Sequence, residues 1–133
     1  MSVEDFKNSL TRVKRNKDLK SSIAFLNSLS QVVPPGEDFA VTVGRVGGYE
    51  YMVDRHGGLI ISATQDEYLP FFSARPKRVS VTDFPERILR DIPTNLKEIL
   101  DGLRDAILEW RKTGSGEYLK LSDEILGVIV ENV

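Results

Sequence analysis

Apolar residues recur every three or four positions toward both ends of the chain and alternate with polar ones in its middle, so helices are expected to flank a sheet. Val3, Phe6, Leu10 and Val13 mark one buried stripe of a helix over about residues 3–15, with Ser2 and Asp5 placed to cap its first turn. Asn16-Lys17-Asp18 interrupts the pattern, Asp18 is placed to cap a second helix, and Pro34-Pro35-Gly36 ends it. No charged residue occurs between Ser21 and Gly36. Ile23, Phe25, Leu26, Leu29, Val32 and Val33 spread around much of that second helix, which makes it either the central core helix or half of a subunit interface.

The period then changes from helical to alternating. Phe39, Val41 and Val43 alternate with Ala40 and Thr42, Tyr49, Tyr51 and Val53 alternate with Glu50, Met52 and Asp54, and Leu59-Ile60-Ile61 follows. Gly47-Gly48 and Arg55-His56-Gly57-Gly58 offer positive-φ positions for tight hairpins, so the three strands form an antiparallel meander. Tyr68 to Pro76 has no clean period and reads as a loop, with one short helical turn after Gln65. Lys77 to Thr82 reads as a fourth strand. Thr82 or Asp83 is expected to cap a short helix with Pro85 in its first turn, ending before Pro93.

Thr94 is expected to cap the clearest helix, where Leu96, Ile99, Leu100, Leu103, Ile107 and Trp110 form one stripe and Gly114 stops it. Tyr118–Leu121 is open to a short strand. In Glu124–Val133, Ile125, Ile129 and Val133 fit a helix entered at Ser122-Asp123-Glu124. Against it stand β-branched Val128-Ile129-Val130 and Gly127, which costs a helix interior about 1 kcal/mol. The order of elements predicts one α+β domain over residues 1–133, with two layers: an antiparallel meander of about four strands against helices from both ends of the chain. The 133 residues suit a single core.

Composition narrows the chemistry. Cysteine is absent, which removes disulfides, thiolate catalysis and sulfur-ligated zinc. With no apolar run near 20 residues and no secretion-type start in Met1-Ser2-Val3-Glu4-Asp5, no membrane association is expected and the location is expected to be cytoplasmic. The net charge of −2 conceals a gradient: residues 1–20 hold six basic side chains (Lys7, Arg12, Lys14, Arg15, Lys17, Lys20) against three acids, whereas residues 83–133 hold seven against eleven. Such asymmetry suits a nucleic-acid arm or head-to-tail association, although the basic residues are dispersed around the first helix.

His56 is the only histidine, which excludes catalytic sites that need two or more. Beside Asp54 it has the residue types for a lone general base, or with Arg55 for a phosphodiester-cleaving site, while its place at a hairpin tip suits an ordinary exposed turn residue. Gly44-Arg45-Val46-Gly47-Gly48 lacks the lysine and hydroxyl residue of a nucleotide-binding loop and is better explained as a hairpin. The carboxylate pairs Asp66-Glu67, Asp123-Glu124 and Asp101 with Asp105 lack an evident third metal ligand, so no metal or other cofactor is expected.

Tyr68, Phe71 and Phe72, followed by Arg75, Lys77 and Arg78, combine stacking surfaces with phosphate-pairing charge. The same residues would serve equally to plug the core and guard an edge strand. Helix 2 and the Ile125–Val133 segment carry more apolar surface than one sheet is expected to bury, which points to association through residues such as Ile125 and Ile129. The expected function is a non-catalytic protein-interaction or regulatory module, a homodimer or a subunit of a larger assembly. The alternative is a nucleic-acid-binding accessory protein using Arg75, Lys77, Arg78 and the N-terminal basic residues. A third is a small hydrolase or nuclease around Asp54 and His56.

Overall fold

In the computed structural model the described residues are 2–36, 39–62 and 76–132. They form α1 (Ser2–Asn16), α2 (Leu19–Val32), β1 (Val41–Val46), β2 (Tyr49–Asp54), β3 (Gly57–Ser62), β4 (Lys77–Val79), a 3-10 turn at Val81–Asp83, α3 (Glu86–Asp91), α4 (Leu96–Arg111) and α5 (Glu117–Asn132). The strands make one antiparallel sheet in the order β1-β2-β3-β4, and helices cover its apolar face, so the fold is the expected α+β arrangement.

Local chemistry explains most boundaries. Lys17 takes a left-handed conformation at the corner between α1 and α2. Asp18 then accepts the Ser21 amide at 2.8 Å while the Ser21 hydroxyl takes the Asp18 amide, a reciprocal cap that starts α2. Gly47 and Gly48, with φ of 59° and 80°, close the β1–β2 hairpin. In the second hairpin only Gly57 is left-handed; Gly58 stays in the strand, where a Cβ would meet the Val79 carbonyl oxygen at 2.8 Å.

Several expected boundaries move. The fourth strand ends at Val79 because the Ser80 hydroxyl accepts the Thr82 amide and turns the chain, burying Val81. Pro85, and neither Thr82 nor Asp83, occupies the cap of α3. Asn95 replaces Thr94 at the start of α4 without a side-chain bond, because the link from α3 is a run of backbone turns in which the Thr94 and Asn95 amides bond the Asp91 carbonyl. Residues 118–121 form no strand: they belong to α5, which begins seven residues before Glu124 and continues through Gly127. Its apolar face outweighs the cost of that glycine, because Tyr118, Ile125, Val128 and Ile129 recur at helical spacing and are all buried.

The core joins both halves of the chain. Leu96, Ile99, Leu100, Leu103, Ile107 and Trp110 are buried as one stripe of α4, which packs on β1. α2, uncharged after Lys20, is the central helix, touching α1, β2, the 3-10 turn, α3 and α5, and its Phe25, Leu26 and Leu29 are fully enclosed. Tyr118 ties α5 to the end of α2 by donating its hydroxyl to the Val32 carbonyl at 2.6 Å, and its ring stands edge-on to Trp110. The surplus apolar surface expected at an interface is therefore spent inside the chain. Ile125 and Ile129 are 0% and 2% exposed, and they pack in the protein's own core.

Candidate functional site

An open cleft of roughly 640 Å³ lies where α2, the β2–β3 turn and the exit of β4 meet. Asp54, the last residue of β2, is 5% exposed and does not itself line the cleft, but it holds Arg78, which does. The Arg78 guanidinium on β4 bonds both carboxylate oxygens, at 2.9 and 2.8 Å. It reaches them across β3, where register puts Asp54 opposite Gly57 and Arg78 opposite Leu59, so no side chain of the intervening Gly57 separates the pair. The His56 amide also donates to Asp54 at 2.8 Å, and the Ser30 hydroxyl holds the Asp54 carbonyl at 2.7 Å, pinning α2 to the turn.

These contacts decide the electrostatics. Burial by itself would raise the Asp54 pKa, but the Arg78 and His56 hydrogen bonds and the guanidinium charge together hold it below the ordinary carboxylate value. Hydrogen bonding to Asp54 in turn raises the Arg78 pKa. The pair is a fixed, bidentate unit in which Arg78 spends two of its N–H groups inward and keeps the others, on a side chain 46% exposed, for the cleft.

Arg55 supplies the second cation. Its Nε donates to the Val33 carbonyl at 3.4 Å, and its guanidinium lies 5.6 Å from the centre of the Tyr118 ring. Among the described residues no carboxylate pairs with it, and its terminal N–H groups meet no acceptor. The exposed His56 sits beside it in the turn, Asn27 and Gln31 line the α2 wall, and Ser80 lines the opposite side. The cleft thus presents donors from three elements, with no acid among its lining residues.

The residues singled out from sequence separate. Asp54, His56 and Arg78 come together, but the Asp54 carboxylate faces the Arg78 guanidinium and the His56 backbone amide. Lys77 is exposed on β4, and alternation directs it to the opposite face from Arg78. Tyr68, Phe71, Phe72 and Arg75, the expected helical turn after Gln65 and the pair Asp66-Glu67 lie outside the described residues. Of the N-terminal basic residues, Lys7 approaches Glu131 and Lys14 donates to Asn132, both on α5. Arg111 pairs with Asp123, Arg104 lies beside Asp101 and Asp105, and no group of three or more metal-ligating side chains occurs among the described residues.

Reasoning from sequence missed Asn27, Gln31 and Ser80, and it considered Arg55 only as a partner of His56 in phosphodiester cleavage. One signal was present: in α2, where the other polar residues after Lys20 are small serines, Asn27 and Gln31 fall four residues apart and so share a face. Among the described residues no helix is long and apolar enough to cross a membrane. Compared with protein-family models, curated proteins and solved structures, the chain matches none.

Proposed function

We propose that the protein is a non-catalytic interaction module that takes an anionic group of its partner into the cleft between α2, the β2–β3 turn and β4. The observation that carries this reading is the pair of guanidiniums, Arg55 and Arg78, each oriented by the protein before any ligand arrives. Asp54 is committed to Arg78, which favours binding over proton transfer as the use of this site. Nitrogen-15 NMR titration at low ionic strength with acetate, sulfate and inorganic phosphate tests it. At least one of these anions is expected to shift the amides of His56, Gly57 and Ser80 saturably. If none does so, the reading fails.

Self-association is a second reading, favoured by one surface. Leu119 and Val130 on α5 are 39% and 76% exposed, and the partly buried Leu126 shares their side of the helix. Light scattering of the wild type and of Val130→Lys checks it. A dimer converted to monomer by the substitution supports the reading, and a monomeric wild type at high micromolar concentration refutes it.

A further inference from the structure

Building on the proposed anion-binding role, we infer that the group recognised by the Arg55–Arg78 cleft is a phosphomonoester carried on a segment of a partner protein. The donor count comes first. Arg78 retains N–H groups beyond the two held by Asp54, Arg55 retains those on its terminal nitrogens, and His56 and Ser80 line the same space. A carboxylate has two oxygens with which to meet these donors. A phosphomonoester has three terminal oxygens and a charge of about −1.5 to −2 at neutral pH, and planar guanidinium forks grip it in bidentate fashion.

Charge placement comes second, and it favours a phosphate presented singly over a nucleic-acid backbone. α2 contributes no acid between Leu19 and Val32, no acid among the described residues lines the cleft, and the nearby Asp54 is paired with Arg78. Residues 83–133, which supply α3, α4 and α5, carry eleven acids against seven bases. Of the basic side chains on α1, Lys7 and Lys14 turn toward α5. A polyanion laid across those helices would meet net repulsion, whereas one phosphate on an otherwise weakly charged peptide would not.

Asp54 has a positioning role in this scheme, and that role separates the inference from simple charge attraction. By net charge alone, Asp54→Asn makes the cleft more positive and should tighten anion binding. If Asp54 instead holds the guanidinium in place, the same substitution loosens Arg78 and weakens binding.

The test is nitrogen-15 NMR titration of the full chain at fixed ionic strength with three probes: N-acetyl-phosphoserine amide, N-acetyl-glutamate amide and a twelve-residue oligothymidylate. Phosphoserine is expected to move the His56, Gly57 and Ser80 amides saturably and to bind about tenfold more tightly than glutamate. Arg55→Ala, at an exposed position, is expected to weaken phosphoserine binding about tenfold while the dispersion of the amide spectrum shows the fold retained. Asp54→Asn is expected to weaken it as well. Equal affinity for glutamate overturns the phosphate assignment while leaving the anion-binding module standing. Tighter saturation of the cleft by oligothymidylate overturns the protein-partner assignment. Tighter phosphoserine binding by Asp54→Asn overturns the positioning role, and silence of the cleft toward every anion removes this inference and the proposed function together.

Discussion

Arg78→Ala is expected to destabilise the protein more than Asp54→Asn, although both remove the same ion pair. The asymmetry follows from exposure: the Asp54 side chain is 7% exposed and that of Arg78 is 46% exposed. Without Arg78, the carboxylate stays buried with the His56 amide as its remaining donor. Stranding a fully buried charge costs about 3–5 kcal/mol. Water entering the open cleft reduces this to roughly 2–3 kcal/mol. In Asp54→Asn the amide oxygen still accepts the His56 N–H, and the half-exposed guanidinium turns to water. That loss should be about 1 kcal/mol, near the upper end for an exposed pair.

The difference resides in a carboxylate, so it must depend on pH. Asp54 titrates below its ordinary value in the folded protein. Its stabilising contribution is therefore complete above the unfolded value near 4 and is lost as pH falls through the lowered folded value. In Arg78→Ala, burial without the guanidinium raises the carboxyl pKa, and protonation relieves the stranded charge. Urea unfolding of wild type and both variants, repeated from pH 7 down to about pH 2, should show the gap between the variants closing in acid. Equal losses at pH 7, or a gap that persists at the acid end, would refute the reasoning.

Three further outcomes are expected. Leu103→Ala should cost about 2–5 kcal/mol in urea unfolding, because Leu103 is fully enclosed in the α4 stripe; a loss below about 0.5 kcal/mol would mean that the stripe is not packed. Tyr118→Phe should cost about 1–3 kcal/mol by orphaning the buried Val32 carbonyl. Burial raises the Tyr118 pKa, so its contribution is complete below the unfolded value near 10 and should fade as pH rises beyond it, a fall that thermal unfolding should show in wild type and not in the phenylalanine variant. Gly58→Ala should cost about 1–3 kcal/mol and weaken amide-exchange protection in β4, since the added carbon would meet the Val79 carbonyl oxygen and the Phe84 ring at 2.8 Å; unchanged protection would argue against that contact.

Periodicity exposed the α4 stripe, the meander and the central place of α2 because each rests on near-neighbour spacing that burial enforces. It understated α5, where Gly127 and three β-branched residues argue locally against a helix that packing against α1, α2 and α4 stabilises. The same gap produced the expectation of an interface at Ile125 and Ile129: the surface left over in a linear tally is filled by a helix whose first half had been assigned elsewhere. At the cleft, Asp54, His56 and Arg78 stood out by residue type, but their grouping did not. Arg78 joins Asp54 across a separation of 24 positions, and Arg55 is oriented by Val33 and Tyr118, contacts that no local pattern encodes.

The hydroxyl of Tyr118 closes on Val32 across 86 positions of chain. On a ribosome the two partners are made roughly 100 residues apart when the whole of α5 is counted, an interval of about 5–20 s at ordinary elongation rates. Throughout that time the flank of α2 that α5 will cover faces solvent or a chaperone. Nascent chains of this protein therefore pass through a stage in which their most apolar helix is complete but unsheltered, and the arrival of α5 ends that exposure.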